Sequence, residues 1–163
     1  MAENRTNMVS LLDIGKLNGG TAGTLAEMGD GYTELTEDWG PKTDTKQYVN
    51  MDAESTTVNG YSFSMSPERE YMSDDLQECI DKLSKEFPIG SKCETYYYRF
   101  YKTDATGTGT LTVNAIKVPV VVMISSVGGS GGESLKSTIQ INGNGAVQTC
   151  TITYDGSTYK ESV

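Results

Sequence analysis

Residues 94–102 hold Tyr96, Tyr97, Tyr98, Phe100 and Tyr101 in one run, and no other stretch limits the fold as tightly. Aromatic side chains favour a pleated strand, and this one is aromatic on both faces. A strand with one face in free water would instead alternate apolar with polar residues. One face therefore takes the core. The other takes a further layer or another subunit, unless its tyrosines reach solvent through their hydroxyls.

The segments before it supply the cover. In residues 61–65, Tyr61, Phe63 and Met65 alternate with two serines, which predicts a half-buried strand. A helix is expected over 74–87: Asp74 can cap it, Asp75 suits its positive end, and Gln77 approximates a capping box. Leu76, Cys79, Ile80, Leu83 and Phe87 recur at helical spacing, while Glu78, Asp81, Lys82 and Lys85 fall largely opposite. Pro88 and Gly90 stop it. So short a helix is marginal alone, and the spacing therefore lays Leu76, Ile80, Leu83 and Phe87 on a sheet.

Downstream, Leu111, Val113 and Ala115 alternate before the register changes at Ile116 and a continuous apolar run fills 118–124. Pro119 in that run predicts a bulge or an edge, in a strand that bends and spans two sheets. The glycines of 128–132 lack the G-K-[ST] ending of a phosphate loop and read as a hairpin tip. Asn142-Gly143-Asn144-Gly145, between alternating runs at 135–141 and 146–154, predicts a β-hairpin, and Asp155-Gly156 turns the chain again. The whole reads as one domain, 1–163, mainly β with α+β character. Two packed antiparallel β-sheets form a sandwich or barrel flanked by one short α-helix, with the β-rich half at 94–154.

The first third is less regular. Residues 1–20 read as an N-terminal arm whose cluster of Met8, Val9, Leu11, Leu12 and Ile14 is buried either on a neighbouring subunit or as a first strand in its own sheet. Residues 20–51 form a long polar loop region with strand-like pieces at 32–36 and 45–51, pinned at Trp39. That tryptophan is either an intersubunit anchor or a local core cap.

Composition removes most chemistry. With no histidine, the commonest general base, most metal sites and the imidazole-dependent triads are gone. Glu68, Glu70, Asp74 and Asp75 read as helix-start charges in preference to a catalytic carboxylate pair. The chain is therefore expected to be no enzyme and to need no cofactor or metal. Cys79, Cys93 and Cys150 are odd in number and lack metal spacing, which predicts three reduced thiols in a reducing cytoplasm. Thirteen basic against 22 acidic residues give a net charge of −9, which argues against gripping nucleic acid through phosphates. Nothing resembles an export signal, no apolar run spans a membrane, and Asn4-Arg5-Thr6 is a chance glycosylation sequon.

The order of elements carries a further reading: acidic arm and polar loop, strand Y-S-F-S-M, linker E-R-E-Y-M, helix S-D-D-L-Q-E-C-I-D-K-L-S-K-E-F-P, aromatic strand, glycine-punctuated β half. Over residues 30–155 this resembles the major tail tube protein of tailed bacteriophages. The resemblance implies a structural virion protein that self-assembles into hexameric rings through sheet continuation, stacked as a hollow tube for DNA passage. It further implies helix 74–87 near the ring interface, loop 20–51 with Tyr48 against the next ring, and the arm Met8, Leu11, Leu12 and Ile14 bridging subunits. Lys117, Lys136 and Gln140 are the lumen candidates. Implied partners are copies of the chain itself, tape-measure and tail-terminator proteins and transiently passing double-stranded DNA, in a virion tail made in the bacterial host cytoplasm. Two other readings remain: a carbohydrate- or protein-binding β-sandwich using Trp39 and the tyrosines of 96–101, and the tube subunit of a bacterial contractile injection system.

Overall fold

A computed structural model describes residues 4–162; residues 1–3 of the expected arm, and Val163, lie outside the described residues. The strands are β1 (Met8–Asp13), β2 (Leu25–Glu27), β3 (Lys42–Lys46), β4 (Ser55–Gly60), β5 (Ser64–Met65), β6 (Glu68–Glu70), β7 (Glu94–Tyr101), β8 (Leu111–Gly128), β9 (Lys136–Gly143), β10 (Gln148–Tyr154) and β11 (Tyr159–Ser162). The helix α1 (Asp75–Glu86) separates β6 from β7. The fold is mainly β and α+β, as the sequence predicts.

The aromatic segment is β7, and both its faces are covered. Tyr97 belongs to one core with Leu12, Phe63, Met65, Val118, Val120, Val122, Ile139 and Ile141, roofed by Leu76, Ile80 and Leu83 of α1. Tyr98 and Phe100 point the other way, into a second core with Val9, Leu11, Val113, Ala115 and Ile152. The strands run β11-β10-β8-β7-β1-β2, and β11 comes round against β2. There the Tyr159 hydroxyl donates to Glu27 Oε2 at 3.4 Å. The six strands thus curl towards a barrel around the second core, and α1 closes the outer face.

β8 organises both layers. On one edge its middle pairs with β7, from Glu94↔Val121 to Arg99↔Ile116. On the other, Leu111 to Lys117 pair with β10, while Val120 to Gly128 pair with β9. β9 carries β5 and β6 on its far side. Pro119 sits where the neighbour changes from β10 to β9: its carbonyl accepts from Asn144 N–H at 2.8 Å, so its backbone faces that gap and no ladder asks for its missing N–H. The bulge falls further on, between Ile124 and Ser126.

Three expectations are corrected. β9 and β10 do not form a hairpin with each other; both pair antiparallel with β8, so the Asn-Gly segment is a corner between two collinear strands. The hairpin tip is the glycine run after β8, where Gly129 and Gly132 take φ of 155° and 85°. The apolar pattern of β8 changes phase at Ile116, as expected, while its pairing with β7 and β10 runs on without a shift. Odd residues Val113 and Ala115 face the barrel core and even residues Val118, Val120 and Val122 face the helix side, so the buried face changes and the strand does not slip. The strand at 61–65 shrinks to Ser64–Met65: Phe63 and Met65 are buried, and Tyr61 is exposed.

The third correction concerns α1. Asp74 caps it by accepting from Gln77 N–H at 2.9 Å, and Leu76, Ile80 and Leu83 are each 2% exposed, about 2 kcal/mol apiece in burial. Phe87, expected on the same stripe, is the C-cap at φ 47° and is exposed. The helix unwinds into the left-handed region ahead of Pro88, which swings this ring off the buried face.

Candidate assembly surfaces

β3 and β4 pair only with each other among the described residues, forming a two-stranded sheet apart from the nine-stranded one. Thr43, Asp44, Thr45 and Lys46 face Val58, Thr57, Thr56 and Ser55 in antiparallel register. Nearly every residue of both strands is exposed. At the tip, Met51 N–H donates to Tyr48 O at 3.0 Å and Gln47 Nε2 donates to Met51 O at 3.1 Å, closing a turn. That turn presents Tyr48 at 62% and Val49 at 109% exposure, an apolar end on a polar stalk.

The base of the hairpin is fixed. Asp38 and Ser64 form a two-way backbone bridge, and Ser62 N–H donates to Trp39 O at 2.8 Å. The Trp39 ring meets Phe63 at 4.8 Å between centroids, and Phe63 meets Tyr97 at 5.3 Å. Beneath them lies Glu37, its side chain only 4% exposed. Its carboxylate accepts from Trp39 Nε1 at 3.1 Å and from the Tyr97 hydroxyl at 2.9 Å, and faces Arg99 Nη1 at 3.5 Å. Burial, with the Glu37 charge beside it, pushes the Tyr97 phenol far up, so it stays a donor to that carboxylate. The projecting hairpin therefore leaves from a clamp locked into the core.

Trp39 is half-buried and packs against the helix-side core. Tyr48 alone of the expected intersubunit residues is fully presented. Leu11 and Leu12 are buried at 0% and 1% in β1, between β7 and β2, so the arm is a central strand of its own sheet. Ile14 packs on the helix-side core, and Met8, opposite Tyr101, is half-buried. At Leu11 and Leu12, paired on both sides, β1 has no free edge to lend a neighbour.

The lumen candidates are tied up locally. Lys117 pairs with Glu161 at 3.0 Å and lies 4.2 Å over the Tyr96 ring. Lys136 pairs with Glu68 at 3.7 Å, and Gln140 bonds to Asn142 at 2.9 Å and to Ser66. Of the tyrosines expected to stack on sugar, Tyr97 and Tyr98 are buried, and the half-buried Tyr96 ring is covered by Lys16 and Lys117. The three cysteines are free thiols, and burial pushes Cys79 and Cys150 up to about 11. Among the described residues no helix is long and apolar enough to cross a membrane.

Sequence reasoning missed the hairpin and the Glu37 clamp. Threonine-rich β3 and β4 carry almost no apolar residues, so no period-two contrast marks them. Glu37 sits in an acidic loop and reads as one more solvated charge.

No family model matches the sequence, and no curated protein matches it. Solved structures do. A chain in the tail of an empty gene transfer agent particle, refined with C6 symmetry, aligns at TM-score 0.58 and 15% identity, over 90% of this chain and 98% of that one. A chain in the virion of a native gene transfer agent particle aligns at TM-score 0.57 and 14% identity, over 91% and 98%. A chain of the anti-feeding prophage baseplate gives TM-score 0.48 at 8% identity, over 91% and 95%. The first two likenesses run nearly end to end in both chains, so they concern the whole subunit. This chain shares the fold of those two gene transfer agent chains.

Proposed function

We propose that the chain is the structural subunit of a phage tail tube, a non-enzymatic protein whose copies close into hexameric rings and stack into a hollow conduit for DNA. The observation that carries this reading is the near-complete correspondence in fold with a tail subunit whose particle was refined with C6 symmetry. The β3–β4 hairpin supports it. A rigidly based hairpin with an apolar tip and no contact strand of its own is suited to reach an adjacent ring.

Charge fits the conduit. A subunit of net charge −9 repels phosphates, so double-stranded DNA slides past without release of bound counterions. Lys117 and Lys136, if they line the lumen, bring their carboxylate partners with them and grip little. Tape-measure and tail-terminator proteins are then the further partners, in a virion tail assembled in the host cytoplasm. The tube of a contractile injection system obeys the same physics without the DNA.

Light scattering on fractions from size exclusion tests the reading. Wild-type mass should climb with concentration towards hexamers and multiples of them, and the Y48D/V49D double variant should stay small at the same concentration. Equal masses for the two proteins would remove the hairpin from assembly.

A further inference from the structure

The most unusual side chain outside the assembly surfaces is Arg69, on β6, which is 1% exposed. Its Nε donates to Asp30 O at 3.1 Å, and Nη2 bonds the Asp74 carboxylate that caps α1. Its guanidinium lies 5.5 Å from the Tyr32 ring centroid. Gly31 completes the wrapping: its carbonyl accepts from Glu70 N–H at 3.0 Å, and at φ 85° any Cβ there would stand 2.8 Å from Glu70 O and 3.0 Å from Arg69 Cγ. The arginine thus joins the loop before the hairpin, the sheet edge and the start of the helix. Asp74 balances its charge.

Hydrogen bonding at this junction is incomplete within the protein. Arg69 Nη1, the Tyr32 hydroxyl, Gln77 Oε1 and the Ser137 hydroxyl are buried without a protein partner. All four residues are linked through Arg69 or its partner Asp74. Ser137 is the register partner of Arg69 on β9, Tyr32 stacks on the guanidinium, and Gln77 N–H bonds the same Asp74 carboxylate. Arg69, Gln77 and Ser137 are at most 6% exposed. Each such orphan is costly if left bare, and a native fold does not gather four in one place without something between them.

The chemistry of the set selects the occupant. Arginine offers only donors, and the Gln77 carbonyl only accepts. Burial pushes the Tyr32 phenol up to about 12, so it donates, and the Ser137 hydroxyl can accept. Two donors and two acceptors match the two lone pairs and two hydrogens of one water molecule. An anion would leave Gln77 Oε1 unpaired and would compete with Asp74 for the arginine. We propose that Arg69, Tyr32, Gln77 and Ser137 form an internal hydration site, where a buried water fastens the 30–32 loop and the first turn of α1 to the β6–β9 edge.

A structure at a resolution that shows ordered solvent tests this on the full chain and on the Ser137→Val variant. The wild type should show one isolated solvent peak within hydrogen-bond distance of both Arg69 Nη1 and Gln77 Oε1. S137V, which puts methyl groups in place of the hydroxyl, should lose that peak and exchange the amides of Gln77 and Glu78 faster. Side chains that bond one another directly, with no solvent density between them, would overturn the proposal, as would a stronger peak of anion density bound to Nη1. The wild-type map decides even if the variant does not fold.

Discussion

Two carboxylates carry more of this fold than their surroundings suggest. Glu37 is buried under Trp39 and serves three groups, so E37A strands the Trp39 indole N–H, leaves the Tyr97 hydroxyl to Ser10 and takes the carboxylate from Arg99. Chemical denaturation should show a loss of about 3 kcal/mol, a value typical of breaking a buried pair. Asp74 differs because its side chain is 39% exposed. Burial pushes its carboxyl up, but the bonds from Arg69 and from Gln77 N–H outweigh this and hold it below its ordinary value. A carboxyl depressed in the folded state adds stability that is complete above the unfolded pKa and disappears as pH falls through the folded one. D74N keeps a competent cap and loses the charge, so it should cost about 2 kcal/mol at neutral pH, less than a fully buried pair because of the exposure. That gap to wild type should close as the pH drops below about 3.9. A constant gap across the acid range would mean that Asp74 acts through its cap alone.

Among elements, α1 shows how far pattern reading reaches. Its cap, its extent and the buried trio Leu76, Ile80 and Leu83 follow from spacing and end signals, which are local. Phe87 breaks the pattern because the chain turns left-handed ahead of Pro88, and no periodicity reports a dihedral. F87G should therefore raise stability by about 1 kcal/mol, since glycine takes that conformation without strain and the lost ring was exposed. β1 was half legible. Its apolar residues announced burial, but only the pairing with β7 shows that the burial is internal. A chain lacking residues 1–14 should consequently fail to fold cooperatively by circular dichroism; a normally melting truncation would return this segment to the role of arm. The hairpin left almost no apolar trace beyond Val58 and its tip. Y48D/V49D should melt within about 0.5 kcal/mol of wild type, because both residues are exposed, whatever it does to assembly.

At the scale of the whole molecule, the aromatic strand announced two covered faces, and both exist within one chain: α1 roofs one and the curled sheet encloses the other. What sequence could not supply was the path by which β11 returns to β2, or the collinear run of β9 and β10 along β8. Both depend on pairings between distant residues, and Asn-Gly signals only a local turn. The β3–β4 hairpin was hidden for a different reason, since its threonine-rich strands show no period-two contrast. Electron microscopy of the purified protein at rising concentration tests the central claim most directly. The account predicts six-fold rings that lengthen into hollow tubes. A chain that remains a single folded particle at every concentration, including in the presence of a tail-initiating complex, would contradict it.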